Sequence, residues 1–274
     1  KDALYKNTGS GFADIANSLG LEGGPRERSD GGVDCTVGDF NNDGYLDLFV
    51  ATYGFNKLYQ NDGAGGFNEV SNMMGISGND HMVGASWGDF NNDGHLDLFV
   101  AGYHDDDGVR SPHDRFFQNL GSKFKELDLD KTVLNGGDHG VQWADFDADG
   151  DLDLSLTEGY NIAGRHPLIR NDLPESARFQ SLYVNVTDAE GVANRAGAEI
   201  RIYDVRNQLL GLRMVSTGDG YNSHSNQAVH FGLPGQELVI IEATFLTAEG
   251  RKTQRYENVR PADYFGEFIT IRQE

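Results

Sequence analysis

The decapeptide DFNNDGYLDL at residues 39–48 returns as DFNNDGHLDL at 89–98 and as DFDADGDLDL at 145–154. Self-similarity at a period of about fifty residues marks one supersecondary unit copied along the chain, each copy stacking on its neighbours. The copies extend past the decapeptide. LYQNDGAGGFNEVS (58–71) follows the first, FFQNLGSKFKELD (116–128) the second and LIRND (168–172) the third, while LYKNTGSGFADIA (4–16) precedes them all. Each unit reads as strand, acidic loop, and three further strands, which places the first complete unit at 33–38, 46–52, 57–61 and 67–71. Repeats of four short strands at this period are a mark of propeller blades.

The acidic loop has the spacing of a metal site. Oxygen-bearing side chains recur at positions 1, 3, 5 and 9, glycine follows position 5 where the chain must turn, and a backbone carbonyl at position 7 can face inward. This is the ligand pattern of the first half of an EF-hand loop, and hard oxygen donors at this density suit Ca2+. The expected ligands are Asp39, Asn41, Asp43 and Asp47; Asp89, Asn91, Asp93 and Asp97; and Asp145, Asp147, Asp149 and Asp153. The carbonyls of Tyr45, His95 and Asp151 complete the three sets. Nothing helical follows, since LDLFVATY and LDLFVAGY read as buried strands. A single copy could be an Asx-rich turn without an ion. Three aligned copies argue for about three Ca2+. The third loop has Asp147 where the others have Asn41 and Asn91, and is expected to bind most tightly.

Charge agrees with this placement. The net charge of −21 argues against nucleic acid and anionic membrane surfaces as partners. Residues 1–171 carry 29 acidic against 12 basic residues and residues 172–274 carry 14 against 10, and eleven of the 29 lie in the decapeptides. No apolar stretch approaches the length of a membrane span, so no membrane insertion is expected. One cysteine, Cys35, excludes an internal disulfide framework and is expected to pack as a small core residue.

Residues 1–172 resemble the FG-GAP/VCBS repeat family that integrin-type propellers share. The resemblance implies a partial or small β-propeller of four-stranded blades stabilised by calcium. From 178 the pattern changes. SLYVNVTD, GAEIRIYDV, LLGLRMVS, QAVHFGL, ELVIIEATFL and GEFITIR alternate like half-buried antiparallel strands, predicting a β-sandwich over 178–274 in an all-β chain. Within it, NRAGAEIRIY, STGDGYNSHSN and HFGLPG resemble the ASPIC/UnbV domain, which follows such repeats in bacterial secreted proteins and in cartilage acidic protein. Where that family has Trp-Pro-Ser-Gly, this chain has FLTAEG.

No nucleophile elbow, HExxH, P-loop or dinucleotide fingerprint is present. Histidines do cluster in the connections on the face opposite the acidic loops. His81, His139, His104, Asp105 and Arg110 are therefore a candidate ligand site, with turn-capping Asp-His pairs as the plain alternative. Two functions compete. One is an extracellular, cell-surface or periplasmic calcium-stabilised interaction protein, an adhesion or structural polymer that binds protein or glycan. The other is a secreted enzyme acting on polysaccharide or a small metabolite from the histidine-rich face. Counting units gives about three and a half blades where closed rings have four to eight. That predicts self-association, as an arc-completing dimer or a filament.

Overall fold

The computed structural model describes residues 2–21, 31–78, 81–102, 114–128, 138–158, 166–218, 220, 221, 223, 224 and 228–274. The structure is all-β, with propeller-type blades followed by two further sheets. Strands β1 (Tyr5–Asn7) and β2 (Phe12–Asp14) form a hairpin that pairs with no other described strand. The first complete blade is β3 (Gly32–Gly38), β4 (Asp47–Thr52), β5 (Lys57–Asn61) and β6 (Phe67–Glu69), antiparallel and in chain order. It matches the sequence expectation to within about two residues at each end. The second is β7 (Met82–Gly88), β8 (Asp97–Gly102), β9 (Arg115–Asn119) and β10 (Phe124–Leu127), and the third keeps three strands, β11 (Asp138–Ala144), β12 (Asp153–Glu158) and β13 (Leu168–Ile169).

The two-residue period of β4 decides what each blade face meets. Leu48 and Val50 turn toward Ala16, Leu21 and Tyr59, while Phe49 and Ala51 turn toward Met82, Leu98 and Phe117 of the next blade. One blade on, Phe99 and Phe116 pack on Val141, Leu154 and Leu156. Fully burying side chains of this size contributes roughly 1.5–3 kcal/mol each. At the inner strands a Cβ on Gly38 would lie 2.9 Å from the Trp87 ring, and one on Gly88 2.8 Å from the Trp143 ring. Glycine there lets each indole rest on the backbone of the preceding blade.

Downstream, β14 (Ser181–Thr187), β15 (Glu199–Asp204), β16 (Leu209–Met214), β17 (Val229–Gly232), β18 (Val239–Thr247), β19 (Gly250–Val259) and β20 (Phe268–Arg272) build sheets ordered β17-β14-β20 and β16-β15-β18-β19. Val184, Ile200, Phe231, Ile241 and Phe245 fill the layer between them as a separate core. Two expectations are corrected. The sheets are not wholly antiparallel, because β14 pairs with β20 in parallel, from Tyr183 opposite Phe268 to Thr187 opposite Arg272. And β19, which pairs with β18, was missed: its sequence GRKTQRYENV is polar and mostly exposed, so no apolar alternation marks it. Cys35 is also exposed rather than packed, because it lies at the rim of two cavities beside β3.

The downstream sheets lie against the inner strands of the blades. Gly232 donates its N–H to Asp89 Oδ2 at 3.1 Å, Arg201 Nη2 to the Gly44 carbonyl at 3.3 Å, and Gln142 Nε2 to the His224 carbonyl at 3.2 Å. Among the described residues, no helix is long and apolar enough to cross a membrane.

Candidate metal centre

The three acidic loops are built by the same hydrogen bonds. In each, the position-1 aspartate accepts the N–H groups of positions 5 and 6: Asp39 from Asp43 and Gly44 at 3.0 and 2.9 Å, Asp89 from Asp93 and Gly94 at 3.0 and 2.9 Å, and Asp145 from Asp149 and Gly150 at 3.0 and 3.0 Å. Position 4 takes the left-handed conformation, with φ of 56° at Asn42 and 57° at both Asn92 and Ala148. That kink, followed by the positive-φ glycine, wraps the loop around its own carboxylates. The position-9 aspartate accepts the N–H of position 2 on one side and, on the other, that of an asparagine at or just past the end of the blade's third strand. Asp97, for example, accepts from Phe90 at 3.2 Å and from Asn119 at 2.7 Å.

In the third loop, oxygens of Asp145, Asp147 and Asp149 lie within 4.8 Å of one another, an arrangement that could hold a metal ion. The equivalent position 3 is Asn41 or Asn91 in the other two loops, and each turns its amide nitrogen to the position-5 carboxylate at 2.8 Å. A cation there would take the amide oxygen instead, by rotation of the amide group.

The electrostatics fit a site for a hard cation. Burial pushes the Asp39 carboxyl up to about 6 and those of Asp47 and Asp89 up to about 7, against the pull of backbone N–H donors and with the push of neighbouring carboxylates. Asp97 is pushed well above the usual range by burial, and Asp145 and Asp153 are raised for the same reason. Asp151 is driven to about 6, and its buried Oδ1 has no hydrogen-bond partner. Buried all-oxygen donors that resist ionisation when alone match the needs of a hard divalent cation.

The third loop differs in its counter-charges. Arg178 Nη1 donates to Asp149 Oδ2 at 2.6 Å, and Arg170 stands 4.0 Å from Asp147. These guanidiniums offset the extra carboxylate that set this loop apart in the sequence. At position 7, the Asp151 carbonyl accepts the Tyr183 hydroxyl at 3.4 Å, and the His95 ring sits 3.5 Å from Asn42 Nδ2. The Tyr45 side chain is exposed.

The histidine-rich face divides. His104, Asp105 and Arg110 lie outside the described residues. His81 is half-buried with its ring 4.0 Å from that of Tyr53, and His139 meets Tyr221 of the downstream part at 6.1 Å. Sequence reasoning also missed residues that matter here. Asn42 and Asn92 reach the position-6 carbonyl of the following loop, Gly94 and Gly150, each at 3.0 Å. The signal was present: both loops have Asn at position 4, and the last copy, with no following loop, has Ala148.

The FG-GAP-like repeat model matches residues 39–100 and 93–155, so this stretch carries FG-GAP-like repeats. No curated protein matches the chain. One similar solved structure is described as showing specific recognition of non-reducing terminal N-acetylglucosamine by an Agrocybe aegerita lectin. Identity is 15%, the TM-score is 0.34, and the alignment covers 98% of this chain and 60% of that one. This chain thus spans 60% of that chain's length.

Proposed function

We propose that this chain is an extracellular calcium-binding interaction module whose three acidic loops each hold one Ca2+ and lock successive blades together. The observation that carries the reading is the convergence of Asp145, Asp147 and Asp149 in a loop whose hydrogen-bonded frame recurs at Asp39 and Asp89. Asp39, Asn41, Asp43 and Asp47 would hold the first ion; Asp89, Asn91, Asp93 and Asp97 the second; Asp145, Asp147, Asp149 and Asp153 the third. The ion supplies charge that cancels the repulsion among buried carboxylates, and the residues around it hold the loop. The domain division at 172–178, and the ASPIC/UnbV likeness of the second part, belong to the same proposal.

The partner we propose is protein or glycan, together with a second copy of the chain. Support for self-association comes from the two-stranded sheet β1–β2. Its Asn7 makes the same contact to Gly9 N that Asn119 makes to Gly121 N, at 2.8 and 2.9 Å. Asn119 also holds the acidic loop of its own blade. These two strands pair with no other described strand, and exposed strand edges are sites for pairing with another chain. The test is calcium stoichiometry by equilibrium dialysis with molar mass by light scattering in the same buffer. Three ions per chain and a mass above the monomer are expected. No bound calcium would reject the reading, and a strict monomer at high concentration would reject its assembly part.

A further inference from the structure

Inner strands β3, β7 and β11 and the downstream strands β16 and β17 line a cavity of about 310 Å³ that is open on one side. Its walls include both tryptophans of the chain, Trp87 and Trp143, with Leu96, Leu152, Arg213 and His230. Small-molecule sites are typically ~300–1,000 Å³, with apolar walls and a few polar groups. Asp89, a proposed ligand of the second acidic loop, forms part of the cavity's wall, and Trp87, Trp143, Leu96, Leu152, Arg213 and His230 belong to no proposed ligand set.

Two of its side chains, His230 and Trp87, carry buried polar atoms that the protein leaves unmatched. His230 is 8% exposed, and neither ring nitrogen has a hydrogen-bond partner. The buried Trp87 Nε1 has none either. Arg213 is 9% exposed and donates from Nη1 to the Leu212 carbonyl at 3.1 Å, with its guanidinium 5.0 Å from the Phe231 ring centre. It forms no ion pair among the described residues. Asp89, Asp39 and Asp97 act on it only through space. Each of these carboxylates also accepts backbone N–H groups: Asp89 from Asp93, Gly94 and Gly232, Asp39 from Asp43 and Gly44, and Asp97 from Phe90 and Asn119.

A buried donor left unmade costs about 1–3 kcal/mol, and more for a charged group. The unmatched set is the Trp87 indole N–H and the His230 ring, beside a guanidinium with one hydrogen bond to the protein, so it asks for an acceptor. Guanidinium favours planar oxyanions, which it can hold with two parallel hydrogen bonds. The leucine and tryptophan walls ask for an apolar body behind that oxyanion. We propose that this cavity binds a small organic carboxylate, with its oxygens on Arg213 and its apolar part among Trp143, Leu96 and Leu152.

Both tryptophans line the cavity, so their fluorescence reports on it. The full chain in calcium-containing buffer is titrated with cyclohexanecarboxylate, and in parallel with cyclohexanemethanol. Expected is a saturable change with the acid that is at least about tenfold weaker with the alcohol, and at least about tenfold weaker in Arg213→Gln. No saturable response to the acid overturns the proposal. An equal response to acid and alcohol also overturns it, by showing an apolar void without anion recognition. The acid–alcohol comparison uses the unaltered chain, so it decides the matter even where Arg213→Gln does not fold.

Discussion

Asn119 donates from Nδ2 to the Phe40 carbonyl one repeat earlier, at 2.7 Å, and to the Leu96 carbonyl of its own repeat at 3.1 Å. Asn171 repeats the arrangement with Phe90 and Leu152, at 2.7 and 3.2 Å. One amide thus ties an acidic loop to its own blade and to the blade before it. Asn61 makes only the second of these bonds, to Leu46 at 3.2 Å. Asn119→Ala should therefore cost about 2–3 kcal/mol, since two buried carbonyls lose their donor, and Asn61→Ala about 1 kcal/mol. Urea denaturation of both variants measures the difference. Equal losses would contradict the blade-to-blade role.

Gly232 is where the downstream sheets touch the second acidic loop. A Cβ there would lie 2.3 Å from Asp89 Oδ2 and 2.6 Å from the Asn92 backbone. Gly232→Ala is expected to lose about 1–3 kcal/mol or more, because neither neighbour can yield without moving the loop. Gly218→Ala, with nothing within 4 Å of its added carbon, should stay within about 0.5 kcal/mol of the unaltered chain. A Gly232→Ala melt indistinguishable from that control would show that the contact is not close.

Arg178 competes for Asp149 at 2.6 Å. Replacing it by Gln should raise the calcium affinity of the third loop about two- to fivefold, the effect of removing one partly exposed ion pair. Calcium titration of Arg178→Gln in a chain whose other loops are disabled by Asp39→Ala and Asp89→Ala reads this directly. Weaker binding would mean that the arginine positions the carboxylate rather than competing for it.

His230 gives a pH dependence of known sign. Burial, with the nearby Arg213 charge, pulls its imidazole down to about 3. The unfolded chain therefore binds a proton below about 6.5 that the folded chain refuses. Stability from this group is complete above about 6.5 and falls by about 1.4 kcal/mol per pH unit below it. The raised carboxylates of the acidic loops give the opposite slope without calcium, so the comparison is between the unaltered chain and His230→Asn. The difference in stability between them should change as pH falls from 7 to 5, with the unaltered chain losing more. A pH-independent difference would mean that the folded imidazole takes up its proton as readily as the unfolded one, contradicting its burial.

The repeats were legible because each carries its own local evidence. Asp39, Gly44 and Asp47 state a turn by residue type, and LDLFVAT states a buried strand by its apolar run. Elements that depend on distant partners were not legible. The parallel pairing of Tyr183 with Phe268 spans most of the second part, and β19 is polar because it lies at a sheet edge. Sequence placed His81 and His139 on one face, but not the aromatic partners Tyr53 and Tyr221 that occupy them. Nor could it bring Arg213 and His230 into one cavity with Trp87, since those residues come from β16, β17 and β7.

The central claim is that calcium in the acidic loops holds the blades together. A ligand that binds only the folded state stabilises it by about 2.7 kcal/mol at a hundred times its dissociation constant. The most direct measurement is calorimetric melting of the full chain with calcium and again with a chelator. The account predicts that Tm falls sharply in chelator, and that Asp89→Ala, which removes a buried ligand of the middle loop, lowers Tm in calcium and shrinks the difference. A Tm unchanged by chelation would contradict it.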